Sequence, residues 1–257
     1  MNRPGPQRGP DTPGTVAPIT LHLPQAVRLP PDATLPGYDT RIITVHVGGH
    51  CYRLRVLSDN QQFSDPDGRG DRLGISSAQW SLFGQVWPVG QLLAEAMDTA
   101  EMEGKRILEL GCGIGLPSLV LQRRGAEVVA SDIHPLAEPF LAYNSALNEL
   151  PSVHFRQLGW DKALPSLGDF DKIIGSDLLY ERDHPALLAA VIERHARPQA
   201  EIVLTDAGRG HTSLFSREMA ALGFEVEESH HPLEDANGNP IRARLLRYRR
   251  GLPPRAG

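Results

Sequence analysis

Short apolar segments alternate with segments of helical periodicity from residue 105 to residue 222. The sequence predicts strands at 105–110, 127–131, 153–157, 171–175 and 201–205, with helices at 90–100, 116–124, 136–148, 185–197 and 213–222. Such alternation predicts an α/β fold in which helices cover both faces of a parallel sheet. Two further strands are predicted at 224–229 and 242–248, and the turn between them is too short for a crossover helix. We therefore expect a doubly wound, mostly parallel, seven-stranded sheet whose last strand is antiparallel.

The chain before residue 78 has a different character. Residues 1–40 contain nine of the 22 prolines, which fix φ and lack a backbone donor. Residues 41–57 alternate apolar and polar side chains around two glycines, which predicts a small N-terminal β-hairpin with one buried face. Residues 58–75 predict a long polar loop. The predicted organisation is a disordered tail (1–18), a hairpin extension with its loop (19–77), a main domain (78–250) and a second tail (251–257).

The composition excludes several classes of protein. Lys and Arg number 26 against 31 Asp and Glu, a formal net charge of −5, so broad affinity for nucleic acid is not expected. No apolar run is long enough to span a membrane, and the N-terminus lacks the apolar core of a secretory signal. The two cysteines cannot form a disulfide framework and the ten histidines show no ligand spacing. We therefore expect a cytoplasmic protein with free thiols and no metal site.

A glycine-rich turn follows the first strand of the main domain and opens a helix. Gly111, Gly113 and Gly115 let the backbone turn sharply and approach a ligand closely. Asp132, at the end of the next strand, is placed to accept hydrogen bonds from ribose hydroxyls. Glu109 just before the turn would repel a pyrophosphate, but it suits a ligand with an amino group and a sulfonium, such as S-adenosylmethionine. The alternative, a turn that only connects strand to helix, does not account for the two carboxylates.

These residues resemble a known family. The segments E-L-G-C-G-I-G (109–115) and A-S-D-I-H-P (130–135) resemble two motifs of the class I, seven-β-strand S-adenosylmethionine-dependent methyltransferases, which have a Rossmann-like fold. Four further features resemble the family-16 methyltransferases, which mostly modify lysine in proteins: Q-V-W-P at 85–88, the asparagines at 144 and 148, G-W-D at 159–161 and D-L-L-Y at 177–180. The segment D-A-G-R at 206–209 resembles the branch that methylates the electron-transfer flavoprotein β-subunit.

The resemblance implies a role for each candidate site residue. Asp177 and Tyr180 are the implied catalytic residues, because a carboxylate and a phenol there would contact the acceptor nitrogen. Glu109 would hold the methionine amino group directly or through water, and Trp160 would supply an aromatic surface for the adenine. The full set implied to bind the cofactor is Trp87, Glu109, Gly111, Cys112, Gly113, Gly115, Asp132, Ile133, Trp160, Asp161, Ser176 and Asp177.

The predicted function is an S-adenosylmethionine-dependent N-methyltransferase that acts on a lysine side chain of a protein. One alternative is a small-molecule N-methyltransferase with a nicotinamide-type amine or pyridine acceptor, and another is a non-catalytic module that binds the cofactor. A nucleic-acid methyltransferase is disfavoured, because D-L-L-Y stands where such enzymes have N-P-P-Y or D-P-P-Y. The arginines between 242 and 250 are predicted to lie on a solvated sheet edge, and a monomer is expected.

Overall fold

The computed structural model describes residues 38–62, 65, 67–161, 167–235 and 237–252. The predicted tail at 1–18 and most of the one at 251–257 lie outside this range. The strands are β1 Thr40–Val47, β2 His50–Leu57, β3 Arg106–Leu110, β4 Glu127–Asp132, β5 His154–Gln157, β6 Phe170–Ser176, β7 Ala196–Asp206, β8 Glu225–Glu234 and β9 Pro240–Arg250. The helices are α1 Arg69–Leu73, α2 Ser77–Trp80, α3 Pro88–Asp98, α4 Leu116–Arg123, α5 Ala137–Leu147, α6 His184–His195 and α7 Thr212–Ala221.

The main sheet has seven strands in the order β5-β4-β3-β6-β7-β9-β8. Strands β5, β4, β3, β6 and β7 pair in parallel, whereas β9 pairs antiparallel with both β7 and β8. The predicted fold class is therefore confirmed. Since parallel strands end at the same edge of a sheet, the carboxyl ends of β3, β4 and β6 converge beside one another.

Alternating side chains of the central strands enter two hydrophobic clusters, one on each face of the sheet. In β3, Ile107 packs into one cluster, while Leu108 and Leu110 pack into the other. Helices α3, α4 and α5 cover the first face and α6 and α7 cover the second. Because the central strands are buried on both faces, they are apolar throughout, and the prediction rested on these apolar runs rather than on alternation.

The N-terminal hairpin, β1 and β2, is docked on α5 and shares the first hydrophobic cluster. Among the residues that the structure describes, the outer edge of β2 has no neighbouring strand, and its backbone amides instead form hydrogen bonds with two asparagine side chains. Asn144 Oδ1 accepts from the amide of Arg55 at 2.7 Å, and Asn148 Oδ1 accepts from the amide of Arg53 at 2.8 Å. Asn144 Nδ2 also donates to the carbonyl of Ile114 at 3.0 Å. Through Asn144, the hairpin is therefore tied to the glycine-rich turn.

The structure corrects two of the predictions outside the site. The predicted 58–75 loop contains the single-turn helix α1, which Asp65 stabilises by accepting from the amide of Arg69 at 2.7 Å. The arginines of β9 do not lie on a sheet edge, because β9 sits between β7 and β8. One of them, Arg249, pairs with Glu201 of β7 at 3.0 Å. The order of strands depends on pairing between distant segments, which the local pattern of β9 does not contain.

Candidate active site

A cavity of about 550 Å³ opens at the carboxyl ends of β3, β4 and β6. Its walls come from the glycine-rich turn after β3, the ends of β4 and β6, the start of α6 and the chain between residues 73 and 90. This is the edge at which open α/β sheets bind their ligands. The segment before α3, which includes the start of the Q-V-W-P motif, therefore forms a large part of the wall.

The glycine-rich turn is shaped by left-handed backbone at Gly111, Gly113 and Gly115, with φ of 61°, 53° and 89°. A Cβ added at Gly111 would lie 2.6 Å from Cδ2 of Leu178, so this backbone approach requires glycine. A Cβ added at Gly113 would meet no atom within 4 Å, because this position faces the open cavity. The turn therefore presents bare backbone to a ligand.

Asp132 fixes the turn and lines the cavity at the same time. Its Oδ2 accepts from the amide of Gly113 at 2.8 Å, and its Oδ1 accepts from the amide of His134 at 2.8 Å. Burial raises the pKa of this carboxyl, and the backbone donors oppose that rise. Each oxygen of a carboxylate has a second acceptor position, so Asp132 is suited to receive two ligand hydroxyls.

Glu109 does not lie where the sequence predicts it. Its side chain is 1% exposed, it accepts a hydrogen bond from Ser118 Oγ, and it is not part of the cavity wall. Burial raises the pKa of Glu109 to about 8. Gly115 is also outside the wall, because it caps the start of α4 and packs closely against Leu141. Both residues support the turn from outside the wall, and the contact of Glu109 with a ligand amino group, direct or through water, stays a prediction.

The other end of the cavity is built around the residue that follows β6. Asp177 adopts left-handed backbone, with φ of 53°, and donates its amide to the carbonyl of Thr205 at 2.7 Å. Its carboxylate is paired with Arg209, whose Nε lies 2.9 Å from both Oδ1 and Oδ2. Arg209, which is not among the predicted site residues, lines the cavity beside Asp177.

An aromatic cluster joins the two ends of the cavity. Trp160 and Tyr180 both pack edge-on against His184, with ring centroids 5.2 Å and 4.4 Å away. His184 is held in turn by a hydrogen bond from Nδ1 to the carbonyl of Leu178 at 2.7 Å. Burial raises the pKa of Tyr180 to about 12, so its phenol keeps its proton at neutral pH. This group can donate or accept a hydrogen bond, but it cannot serve as an anionic base.

Eleven of the thirteen predicted site residues line this one cavity. They are Trp87, Gly111, Cys112, Gly113, Asp132, Ile133, Trp160, Asp161, Ser176, Asp177 and Tyr180. Sequence reasoning missed Arg209 and His134, which also line it. His134 stacks on Phe83 with ring centroids 4.1 Å apart, and burial lowers its pKa to about 3. His134 and Arg209 belong to segments that resemble the family, A-S-D-I-H-P at 130–135 and D-A-G-R at 206–209, and this resemblance was the signal that could have identified them.

Among the residues described, no group of three or more His, Cys, Asp or Glu side chains is arranged to hold a metal ion. Within the same part of the chain, no helix is long and apolar enough to cross a membrane.

Comparison with known proteins identifies the family. A family model described as "Lysine methyltransferase" matches residues 74–217. The mouse protein EEF1A lysine methyltransferase 3 is 26% identical over 203 residues, which cover 76% of this chain and 80% of that protein. Protein N-lysine methyltransferase METTL21A of Xenopus tropicalis is 30% identical over 154 residues, which cover 56% of this chain and 69% of that protein.

Two further similarities have narrower reach. Mouse METTL23, named as a histone-arginine methyltransferase, is 33% identical over 114 residues. These residues cover 41% of this chain and 45% of that protein. The solved structure of the T. thermophilus 16S rRNA methyltransferase RsmC with AdoMet and guanosine superposes with a TM-score of 0.55 at 20% identity. That superposition covers 84% of this chain and 52% of RsmC, and it supports the fold alone.

The site itself fits S-adenosylmethionine. Gly113 offers open backbone, Asp132 has free acceptor positions for ribose hydroxyls, and five carboxylates line the cavity, which suits a cationic ligand. The predicted cofactor and the predicted resemblance are thus confirmed. The chain belongs to the lysine methyltransferase family, one of the families of S-adenosylmethionine-dependent methyltransferases with the seven-stranded fold.

Proposed function

We propose that this protein transfers a methyl group from S-adenosylmethionine to the side-chain amine of a lysine in a protein. The observation that carries the proposal is the division of one cavity into two ends. One end, at β3 and β4, holds the glycine-rich turn with Asp132, and the other, after β6 on the far side of β3, holds Asp177 with Tyr180. A ligand that spans the first end would present its reactive group to the second.

The first end would bind the nucleoside and the methionine portion of the cofactor. Asp132 accepts from the ribose hydroxyls, and the open backbone at Gly113 admits the ligand closely. Ile133, Trp160 and Asp161 line the wall where the adenine would lie. Trp87 is fixed by a hydrogen bond from Nε1 to the carbonyl of Leu82 at 2.9 Å. An indole near a sulfonium contributes about 0.5–2 kcal/mol by cation–π attraction.

The second end would receive the acceptor. When bound, S-adenosylmethionine supplies an electrophilic methyl group on sulfur. Asp177 accepts a hydrogen bond from the acceptor amine and directs its lone pair, and the neutral phenol of Tyr180 flanks the nitrogen. Deprotonation of a free lysine at neutral pH costs about 4 kcal/mol, so the site must favour the neutral amine. Alignment of the nitrogen, the methyl carbon and the leaving sulfur supplies most of the rate.

A protein acceptor is supported by the named activities of the relatives. EEF1A lysine methyltransferase 3, METTL21A and the mouse electron transfer flavoprotein beta subunit lysine methyltransferase are all named for lysine. METTL23 is named for arginine, so the identity of the methylated residue must be read directly. A monomer acting in the cytoplasm is part of the same proposal, and the free thiols of Cys51 and Cys112 are compatible with it.

The test is a transfer assay with methyl-labelled S-adenosylmethionine in extract from cells that lack this gene. The protein fraction is hydrolysed, and methyllysine and methylarginine are counted separately. The wild type is compared with Asp177→Ala and with Asp169→Ala, an exposed aspartate at the opposite end of β6 that serves as the matched control.

Methyllysine formed by the wild type and by Asp169→Ala, but not by Asp177→Ala, is the expected result. Formation of methylarginine instead would refute lysine as the methylated residue, but it would still support a protein substrate. Label confined to the small-molecule fraction would favour the amine or pyridine alternative. If no label is transferred although the protein still binds the cofactor, the result would favour the alternative of a non-catalytic module that binds the cofactor.

A further inference from the structure

Arg209 has an exceptional position in the cavity. Among the residues described as lining it, the carboxylates are Asp132, Asp161, Asp177, Glu181 and Asp183, and Arg209 is the only Lys or Arg. Its guanidinium contacts both oxygens of Asp177, through Nε at 2.9 Å to each and through Nη2 to Oδ2. Among the lining residues described, the one guanidinium, that of Arg209, is therefore paired with Asp177 and with none of the other four carboxylates.

The pair is partly shielded from water and well placed beside the acceptor. The Asp177 side chain is 11% exposed and that of Arg209 is 37% exposed. Arg209 stands between Gly208 and Gly210, with φ of 87° and 95°, so the backbone around it has a conformation that few other residues adopt. Partial burial and two-point contact distinguish this pair from an ordinary surface salt bridge.

We infer that Arg209 is a positioning residue that neutralises Asp177, so that the carboxylate directs the acceptor amine without holding its proton. The inference rests on the proposed lysine acceptor. A lone carboxylate beside a lysine stabilises the ammonium form, which has no lone pair and cannot attack. With its charge balanced by Arg209, Asp177 keeps a free acceptor position on Oδ1 for an N–H of the neutral amine.

The proton and the charge balance in this scheme. The bound ammonium gives one proton to water, and the nitrogen lone pair then forms the N–C bond as the C–S bond breaks. The bonding electrons of the C–S bond remain on sulfur, which becomes a neutral thioether, and the positive charge passes to the methylated nitrogen. No oxidant, reductant or further reactant is needed.

Other charged groups act on the same region. Tyr180 and Glu181 follow Asp177 in the chain, Asp206 lies at the end of β7, and Asp132 lies at the end of β4. His184 of α6 uses Nδ1 for the carbonyl of Leu178. On β9, Arg244 pairs with Glu228 of β8 at 3.4 Å. All of these groups are unchanged in the variants below, so a shift between variants reports on Arg209 and Asp177.

The test is the pH dependence of methyllysine formation between pH 6.5 and 10. The acceptor is the protein fraction from cells that lack the gene, used at concentrations where the rate no longer rises, so that the profile reports the bound amine. The proteins are the wild type, Arg209→Met, Arg209→Lys and the double variant Arg209→Met with Asp177→Asn. Calorimetry with S-adenosylmethionine confirms that each variant folds and binds the cofactor.

We expect Arg209→Met to move the midpoint of the profile up by at least about one pH unit, which is about ten-fold slower turnover at pH 7.5 and recovery near pH 10. Arg209→Lys keeps the charge and should retain the wild-type midpoint. The double variant should return toward the wild-type midpoint, because it has no carboxylate left to hold the proton.

An unchanged midpoint in Arg209→Met would overturn the inference, as would an equal shift in Arg209→Lys. A double variant whose midpoint stays as high as that of Arg209→Met would show that the effect does not pass through Asp177, and it would overturn the inference too. Absence of methyllysine from the wild-type reaction is a different result, because it refutes the proposed function and this inference together.

Discussion

Replacement of Glu109 by Gln should stabilise the protein at alkaline pH. Glu109 is 1% exposed, and burial raises its pKa from 4.5 to about 8. An acid whose pKa is higher in the folded state contributes stability below its unfolded pKa and loses it as pH rises through the folded pKa. The penalty therefore develops between pH 4.5 and about 8, and 3.5 units correspond to about 5 kcal/mol at most.

The amide of Gln keeps an acceptor for Ser118, but it buries an NH₂ group that costs about 1–3 kcal/mol if it finds no partner. A net gain of about 2 kcal/mol remains at pH 8.5, equivalent to a rise in Tm of about 4–8 °C for a domain of this size. At pH 4.5 the wild-type carboxyl is protonated, so Glu109→Gln should be no more stable than the wild type there.

Thermal unfolding at pH 8.5 and pH 4.5 measures the change in Tm at each pH, and calorimetry at pH 7 measures the affinity for S-adenosylmethionine. Because Glu109 does not line the cavity, the affinity for S-adenosylmethionine should change less than about three-fold, whereas loss of a direct charged hydrogen bond costs about 1.5–3 kcal/mol, more than ten-fold. A fall in Tm at pH 8.5 would refute the cost assigned to the buried charge, and a loss of affinity above ten-fold would show that the carboxylate is a ligand of the cofactor.

Three further substitutions test the rest of the site. Asp132→Ala should weaken S-adenosylmethionine binding about 100-fold in calorimetry, because it removes two charged hydrogen bonds; unchanged affinity would contradict the assignment of the ribose contact. Asp177→Ala should spare that affinity but reduce turnover about 100-fold or more, and equal losses in both measurements would contradict a role confined to the acceptor. Asn144→Ala should lower the free energy of unfolding in urea by about 2–3 kcal/mol, because it leaves buried backbone groups unpaired. The partly exposed Asn148→Ala is its matched control and should cost less than about 1 kcal/mol; equal losses would refute the proposed bracing of the turn.

Local sequence patterns predicted the main strands and helices, because the apolar spacing that marks each of them involves residues close together in the chain. The central strands β3, β4, β6 and β7 each contain a short apolar run, and helices α3 to α7 each show an apolar face within three or four residues. Pro88 at the start of α3 and Pro117 in the first turn of α4 mark helix beginnings. The glycine-rich turn was predictable for the same reason, since three left-handed positions within five residues require glycine.

The environment of a charged side chain could not be predicted in this way. Glu109 is the last residue but one of β3 and Asp132 is the last residue of β4, and only Asp132 reaches the cavity. Glu109 pairs with Ala130, so Asp132 lies two residues farther toward the carboxyl edge of the sheet, and the hydroxyl of Ser118 in α4 receives Glu109 instead. The pairing of Asp177 with Arg209 likewise joins segments 32 residues apart, which meet because β6 and β7 are neighbours.

The charges of the cavity set two demands that oppose each other. Five carboxylates attract cations, and this favours the sulfonium of the cofactor and draws a lysine side chain inward in its ammonium form. The same field keeps the proton on that lysine, and an ammonium cannot attack. A general reduction of the negative charge would weaken capture of both ligands, whereas one guanidinium fixed on Asp177 weakens the field only where the nitrogen must lose its proton. The placement of Arg209 thus reconciles attraction of the acceptor with its activation.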